Sequence, residues 1–197
     1  ESRDLGLAVA GNVIEGGRNV GVAYDGGRSV LEQAKLHPMP REASRGIVGV
    51  DAFGVAPVLG RTMAMVVCAD VLFPEVARLA QLLDAEVLIN PVLSAFEEED
   101  PTREARQALY VARAYDARAF VVKAGGFLPR VIVGRSLVAA PWGIVARQRD
   151  EWGEEALVAD LDFAKLDAFR KHQERFPPRR PSAYRPLADD AAGAGGA

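Results

Sequence analysis

The chain has 197 residues, 49% of them hydrophobic, which suits one globular domain with a substantial core. A formal net charge of -3 and scattered arginines leave no basic field to hold a nucleic-acid backbone. Asp51 and Asp70 interrupt the two richest apolar stretches, so none reaches the roughly 18 residues of a membrane span. With no signal-like start, the expectation is a soluble, cytoplasmic protein.

Short apolar runs with β-branched residues alternate with helical patterns, which predicts an α/β fold. Leu5 to Val9 and Val20 to Tyr24 read as strands of a hairpin, with the turn-rich "GNVIEGGRN" between them and "DGG" after them. From Leu36 to Gly60 three prolines, Pro38, Pro40 and Pro57, predict a long irregular excursion. Thr62 to Val67 is the strongest strand. After it, Val76, Leu79, Ala80 and Leu83 follow a helical spacing, with Pro74 suited to the first turn. Glu86 to Asn90 returns as a strand that Pro91 ends, which completes a strand, helix, strand unit.

Asp100 and Pro101 suit the start of a second helix, whose Ala105, Ala108, Leu109 and Ala112 share a face. Strands are expected at about 119 to 123, 131 to 139, 144 to 148 and 156 to 160, and a helix from about Phe163 to Arg175. Residues 187 to 197, "LADDAAGAGGA", hold too little large apolar content to pack and read as a loose tail after a domain of residues 1 to 186.

Cys68 is the one cysteine, so neither an intramolecular disulfide nor a zinc site can be built around it. It closes the strongest strand where the chain turns into a helix. Turn amides and a helix N-terminus in such a place can favour a thiolate and offer donors to an oxyanion. Taken alone, a cysteine that closes an apolar strand is more often a small core filler.

The surrounding pattern shifts that balance. "VVCADVLFPEVARLAQLLDAEVLINP" resembles the nucleophile segment of the nitrilase, or carbon-nitrogen hydrolase, superfamily, through Cys68, Asp70, Phe73, Pro74, Glu75, Arg78 and Pro91. Upstream, "VLEQAKLHPMP" is similar to the family's Lys-x-His segment, with Lys35 at the lysine and His37 two residues on; the usual preceding tyrosine is replaced. Downstream, "RAYDARAF" resembles an Arg-Ala-x-Glu-Asn helix end, with Asp116 and Ala117 as departures. Gly134, Ser136, Pro141 and Gly143 match a strand pair, and Arg179, Arg180, Pro181 and Tyr184 a closing motif. Gly125 and Ala140 stand where the family often has Asn and Asp.

The resemblance implies a four-layer α-β-β-α sandwich, no cofactor or metal, and protomers that pair through a helical face into homo-oligomers. It implies Cys68 as nucleophile, Lys35 as the cation beside the oxyanion, and the amide of Ala69 as a second oxyanion donor. Glu42 is the nearest match to a carboxylate that positions the lysine, although a solvated glutamate is an equal reading. His37 reads as structural, Asp70 and Arg78 as packing or ion-pair groups, and the run "EEED" at 97 to 100 as a wet loop or a pocket border.

The expected reaction is hydrolysis of a small amide through a thioester, with N-carbamoyl hydrolysis as an open variant and true nitrilase or acyl transfer ranked below. One departure counts against it. The family pattern begins with roughly 70 to 80 further residues, about half a typical domain, that carry a general-base glutamate, and Glu1 matches no such motif. The alternative expectation is therefore an impaired, truncated scaffold that serves binding or assembly, with an exposed sheet edge.

Overall fold

The structure, a computed structural model, describes residues 6–95, 105–150 and 152–189. The chain opens with three antiparallel strands, β1 (Val9–Glu15), β2 (Arg18–Asp25) and β3 (Arg28–Ala34). Each turn between them is a Gly-Gly pair with positive φ at both residues, 54° and 72° at Gly16 and Gly17, 55° and 77° at Gly26 and Gly27. That is the backbone a tight hairpin needs if its twist is to match the strands, and glycine adopts it without a Cβ penalty. The first strand therefore lies later than the composition indicated. Only Gly16 and Gly17 turn the chain, and most of "GNVIEGGRN" is strand.

The excursion after β3 holds a single helical turn, α1 (Pro40–Ala43), and an edge strand, β4 (Ala56–Val58), which pairs antiparallel with β5 (Arg61–Met65). Beyond β5 the chain makes a 3-10 turn at Cys68–Leu72, then α2 (Pro74–Leu82) with Pro74 at its first position, then β6 (Val87–Val92) parallel to β5. Pro91 does not end β6. Pairing with β5 stops at Ile89, so Pro91 lies where only β8 flanks the strand, and its missing N–H costs no ladder bond on the open side.

Short β7 (Ser94–Ala95) leads away from β6, and the expected helix is present as α3 (Arg106–Ala117). The predicted cap at Asp100 and Pro101 and the acidic run at 97 to 100 lie outside the described residues. The face of α3 differs from the expectation: Ala105, Ala108 and Ala112 are exposed, whereas Tyr110, Arg113, Ala114 and Ala117 are buried. Ala114 and Ala117 bring the helix close to the sheet, while Tyr110 and Arg113 spend their polar ends on specific partners. Apolar periodicity misses a face built in that way.

β8 (Phe120–Gly125) lies parallel to β6, and β10 (Leu137–Ala140) and β11 (Gly143–Arg147) complete a six-stranded sheet of order β11-β10-β8-β6-β5-β4. β9 (Ile132–Val133) pairs with β7 instead, because Gly134 and Arg135, the latter at φ 50°, break the run expected from 131 to 139. The strand expected at 156 to 160 joins no ladder; Val158 is 86% exposed and gains nothing by burial there. Helix α4 (Phe163–Gln173) is anchored by Leu166 against Phe120 and Ala140, and by Arg170 donating to the carbonyls of Arg118 and Ala85. Residues 185–189 form a short helix, α5, so the expected loose tail begins with a helical turn.

The layers follow from which side chains each sheet face carries. Ala64, Val66, Leu88, Val121, Leu137 and Ala139 meet α2 and α3 through Val76, Ala80, Tyr110 and Ala114. Met65 and Val58, on the other face, meet Ala23 and Leu31 of the three-stranded sheet. Gly21 permits this approach, since a Cβ there would lie 2.9 Å from the Met65 methyl carbon. Helices, six-stranded sheet and three-stranded sheet thus stack as the α-β-β part of the expected arrangement. Among the described residues, no helix is long and apolar enough to cross a membrane.

Candidate active site

Cys68 occupies the first position of the 3-10 turn at the carboxyl end of β5, at φ 52°, a left-handed conformation rare for a residue with a Cβ. Its side chain is partly exposed, and Ala69, which follows it, is 8% exposed. Three groups hold this turn from different sides. Asn90, fully buried within β6 just before Pro91, donates through Nδ2 to the carbonyls of Val66 at 2.5 Å and Cys68 at 3.1 Å. Tyr110 of α3 donates its hydroxyl to Asn90 Oδ1 at 2.8 Å, which fixes the amide's orientation. Arg113, one helical turn on, donates to the carbonyls of Val71 at 2.8 Å and Leu72 at 2.7 Å.

The ionisation of Tyr110 moves upward from its ordinary value, first because burial disfavours the phenolate and then because of its proximity to Cys68; Arg106 opposes both. The hydroxyl therefore remains a donor to Asn90.

Lys35, the residue directly after β3, is fully buried. Its ammonium lies 2.5 Å from Glu42 Oε2 on α1. Glu42 accepts in addition from the Met39 amide at 2.7 Å and from Asn19 Nδ2 at 2.8 Å, and Asn19 in turn accepts from Asn12 at 2.9 Å. Burial alone would raise the Glu42 pKa; the hydrogen bonds from Lys35, Met39 and Asn19, with the lysine's charge, outweigh it and hold the carboxyl below its ordinary 4.5.

Asp70, 1% exposed, joins the two segments. Oδ2 accepts from the Leu36 amide at 3.1 Å, while Oδ1 accepts from the His37 amide at 2.9 Å and contacts His37 Nδ1 at 3.0 Å. The His37 ring lies flat on Phe73, with centroids 3.6 Å apart. Arg78, by contrast, points to Gln81 and Asp116 on the helical side.

The structure thus gathers Cys68, Ala69 and Asp70 on one turn and Lys35, His37 and Glu42 on the chain beside it. Asn19, Asn90 and Tyr110 were not anticipated from sequence, and Arg113 entered only as the arginine of the helix-end motif "RAYDARAF", with no role attached. Asn90 left one signal, a lone amide at the end of the apolar strand "VLIN". Lys123, 5% exposed on β8 opposite Asn90, carries its ammonium 5.6 Å from the Tyr110 ring centre and adds a third buried cation, after Lys35 and Arg113, to this region.

Gly125 and Ala140 have structural explanations. A Cβ on Gly125 would lie 1.7 Å from the Gly134 carbonyl oxygen, so no larger residue fits, and Ala140 is packed under Phe120 and Leu166.

Comparison with known proteins bears on the fold and the family. Among curated proteins, the deaminated glutathione amidase of Homo sapiens is 33% identical over 127 residues, 62% of this chain and 37% of that protein. The N-carbamoylputrescine amidase of Oryza sativa subsp. japonica is 27% identical over 140 residues, 64% of this chain and 46% of that one. The chain thus spans less than half the length of these two relatives. Among solved structures, a carbon-nitrogen hydrolase from Helicobacter pylori G27 superposes with a TM-score of 0.82 at 20% identity, covering 95% of this chain and 73% of that one. An amidase from Nesterenkonia sp. AN1, solved with acrylamide added to its active-site cysteine, gives 0.70 at 25% identity over 88% and 70%. The family model for carbon-nitrogen hydrolases matches residues 7–171, from before the first hairpin into α4, and the chain is a member of that family.

Proposed function

We propose that this chain hydrolyses a non-peptide carbon-nitrogen bond of a small amide through a thioester on Cys68. The observation that carries the reading is the convergence of a buried, carboxylate-held lysine and a strained, partly exposed cysteine on two segments tied together by one buried carboxylate. The thiolate adds to the amide carbon and forms a tetrahedral oxyanion. Lys35, held in place by Glu42, and the backbone amide of Ala69 are the donors suited to that oxygen. Collapse breaks the carbon-nitrogen bond, and ammonia or an amine leaves with a proton. Water then attacks the thioester, the acid is released and the thiol is restored.

No step of this scheme calls on a metal or an organic cofactor. The named activities of the relatives, on deaminated glutathione and on N-carbamoylputrescine, frame two substrate classes to try, a simple amide and an N-carbamoyl amine.

The test is ammonia release by the full chain from a panel of small primary amides and N-carbamoyl amines, with intact mass taken on acid-quenched samples. Turnover with an acyl adduct on the peptide containing Cys68, both abolished in Cys68→Ala, is the expected result. A folded chain that forms no adduct and releases no ammonia would overturn the reading in favour of a scaffold that binds or assembles.

A further inference from the structure

The Asp70 carboxylate sits two residues after Cys68 yet spends its acceptor capacity on the chain that carries Lys35. It receives the amides of Leu36 and His37, the two residues directly after the lysine, and touches the His37 imidazole. A buried carboxylate is costly unless its oxygens are filled, and these contacts span 33 and 34 residues of sequence. Lys35 is otherwise held from its own side, with its amide donating to the Asn19 carbonyl and its ammonium on Glu42. Neither bond refers it to Cys68.

We infer that Asp70 is a positioning residue that sets the Lys35 ammonium at working distance from the Cys68 sulfur. The inference rests on the proposed thiol chemistry and assigns Asp70 a part in it that the ion-pair reading did not. Two rigid attachments, one on each side of the Cα of Leu36, fix both the height and the twist of the chain at Lys35. A misplacement of about 1 Å at a reacting centre can cost on the order of a hundredfold in rate, so a bond of this kind bears on chemistry without touching substrate. Phe73, on the same turn, backs the contact by stacking on His37.

The experiment is a double-mutant cycle read by the rate of Cys68 alkylation with iodoacetamide in the native full chain, using wild type, Asp70→Asn, Lys35→Ala and the double variant. Thermal melts confirm that each is folded. If Asp70→Asn melts below the working temperature, Asp70→Glu, which keeps the charge and moves the oxygens by one methylene, takes its place.

The expected result is about a tenfold or greater loss of rate on substituting Asp70 in the wild type, and less than about a twofold further loss in the Lys35→Ala background. An equal loss in both backgrounds, or no loss in the wild type, would overturn the inference. A Lys35→Ala rate equal to wild type would instead mark failure of the thiol-lysine reading itself, so the two failures separate. His37→Ala removes the imidazole contact and its stacking on Phe73 but leaves both backbone N–H bonds to Asp70; a loss clearly smaller than that of Asp70→Asn is expected, and a loss as large would overturn the amide-based positioning.

Discussion

The Lys35 ammonium, fully buried, lies 2.5 Å from the Glu42 carboxylate seven residues away, and the bond spans from the residue after the last strand of the small sheet to the single turn of α1. Removal of the acid leaves an uncompensated ammonium inside the protein. Breaking a buried pair from one side costs about 3–5 kcal/mol, and the low end applies because Glu42 is 23% exposed. Glu42→Ala should therefore lower the melting temperature by roughly 6–12 °C in a chain of this size. Combination with Lys35→Met should restore most of the loss, since no charge then remains to be buried. A thermal scan of the wild type and the two variants decides it, and a double variant no more stable than Glu42→Ala would contradict the account.

The same carboxylate gives the protein an acid limit. Glu42 has its folded-state pKa below the ordinary value of 4.5, so the unfolded chain binds a proton there more readily than the folded one. Its contribution to stability is therefore fully present above about pH 4.5 and is lost as pH falls through the lower folded value. Denaturant midpoints measured from pH 6 down to pH 3 should fall, and Glu42→Gln should flatten part of that fall. Parallel curves for the two proteins would show that other carboxylates set the limit.

The strand, helix, strand unit from β5 to β6 was legible because its apolar runs are long and Pro74 marks the helix start. Lys35 and Cys68 were legible as positions for the same kind of reason, since each sits inside a short, dense motif; Glu42 lies just beyond one, and a solvated glutamate was an equal reading until the structure set it on the Lys35 ammonium. The polar supports were not. Tyr110 and Arg113 occupy a helix face that hydrophobic periodicity assigns to solvent, and only the tertiary arrangement shows that their ends reach Asn90 and the carbonyls of Val71 and Leu72. Buried polar partners leave no periodic trace, because their value depends on a group far away in sequence. The first hairpin was misplaced for the opposite reason. Gly, Asn and Arg in "GNVIEGGRN" look like turn formers, yet the turn uses only Gly16 and Gly17.

Removal of the Tyr110 hydroxyl tests whether the support beneath Cys68 acts as one unit. Tyr110→Phe keeps the ring and its packing but leaves Asn90 Oδ1, in a fully buried residue, without that donor. The expected cost is about 1–2 kcal/mol, seen as a lower urea midpoint with an unchanged slope. Asn90→Ala should cost more, because two carbonyls, those of Val66 and Cys68, then lose their donor. The second effect is on chemistry: Cys68 sits at φ 52°, and release of its carbonyl lets the backbone relax, so both variants should slow alkylation of the thiol. Stability loss with unchanged thiol reactivity would confine Asn90 to a packing role.

Gly125 and Gly54 give opposite expectations for the same substitution. At Gly125 a Cβ would lie 1.7 Å from the Gly134 carbonyl oxygen and 2.6 Å from its carbon, both backbone atoms that cannot rotate aside. The Gly125 amide also donates to Ser136 at 3.0 Å, so β8 cannot retreat without breaking that bond. Gly125→Ala should cost about 3 kcal/mol or more, the upper range of overpacking. At Gly54 nothing lies within 4 Å of the new carbon, and the backbone is not in the left-handed region. Its amide bond to Gln33 at 3.0 Å is unaffected by a methyl group. Gly54→Ala should therefore be neutral or stabilise by about 0.4–1 kcal/mol, through the reduced freedom of the unfolded chain. Denaturant titration of the two variants side by side is the measurement; similar midpoints would mean that the approach of the segment around Gly134 to β8 is looser than the structure shows.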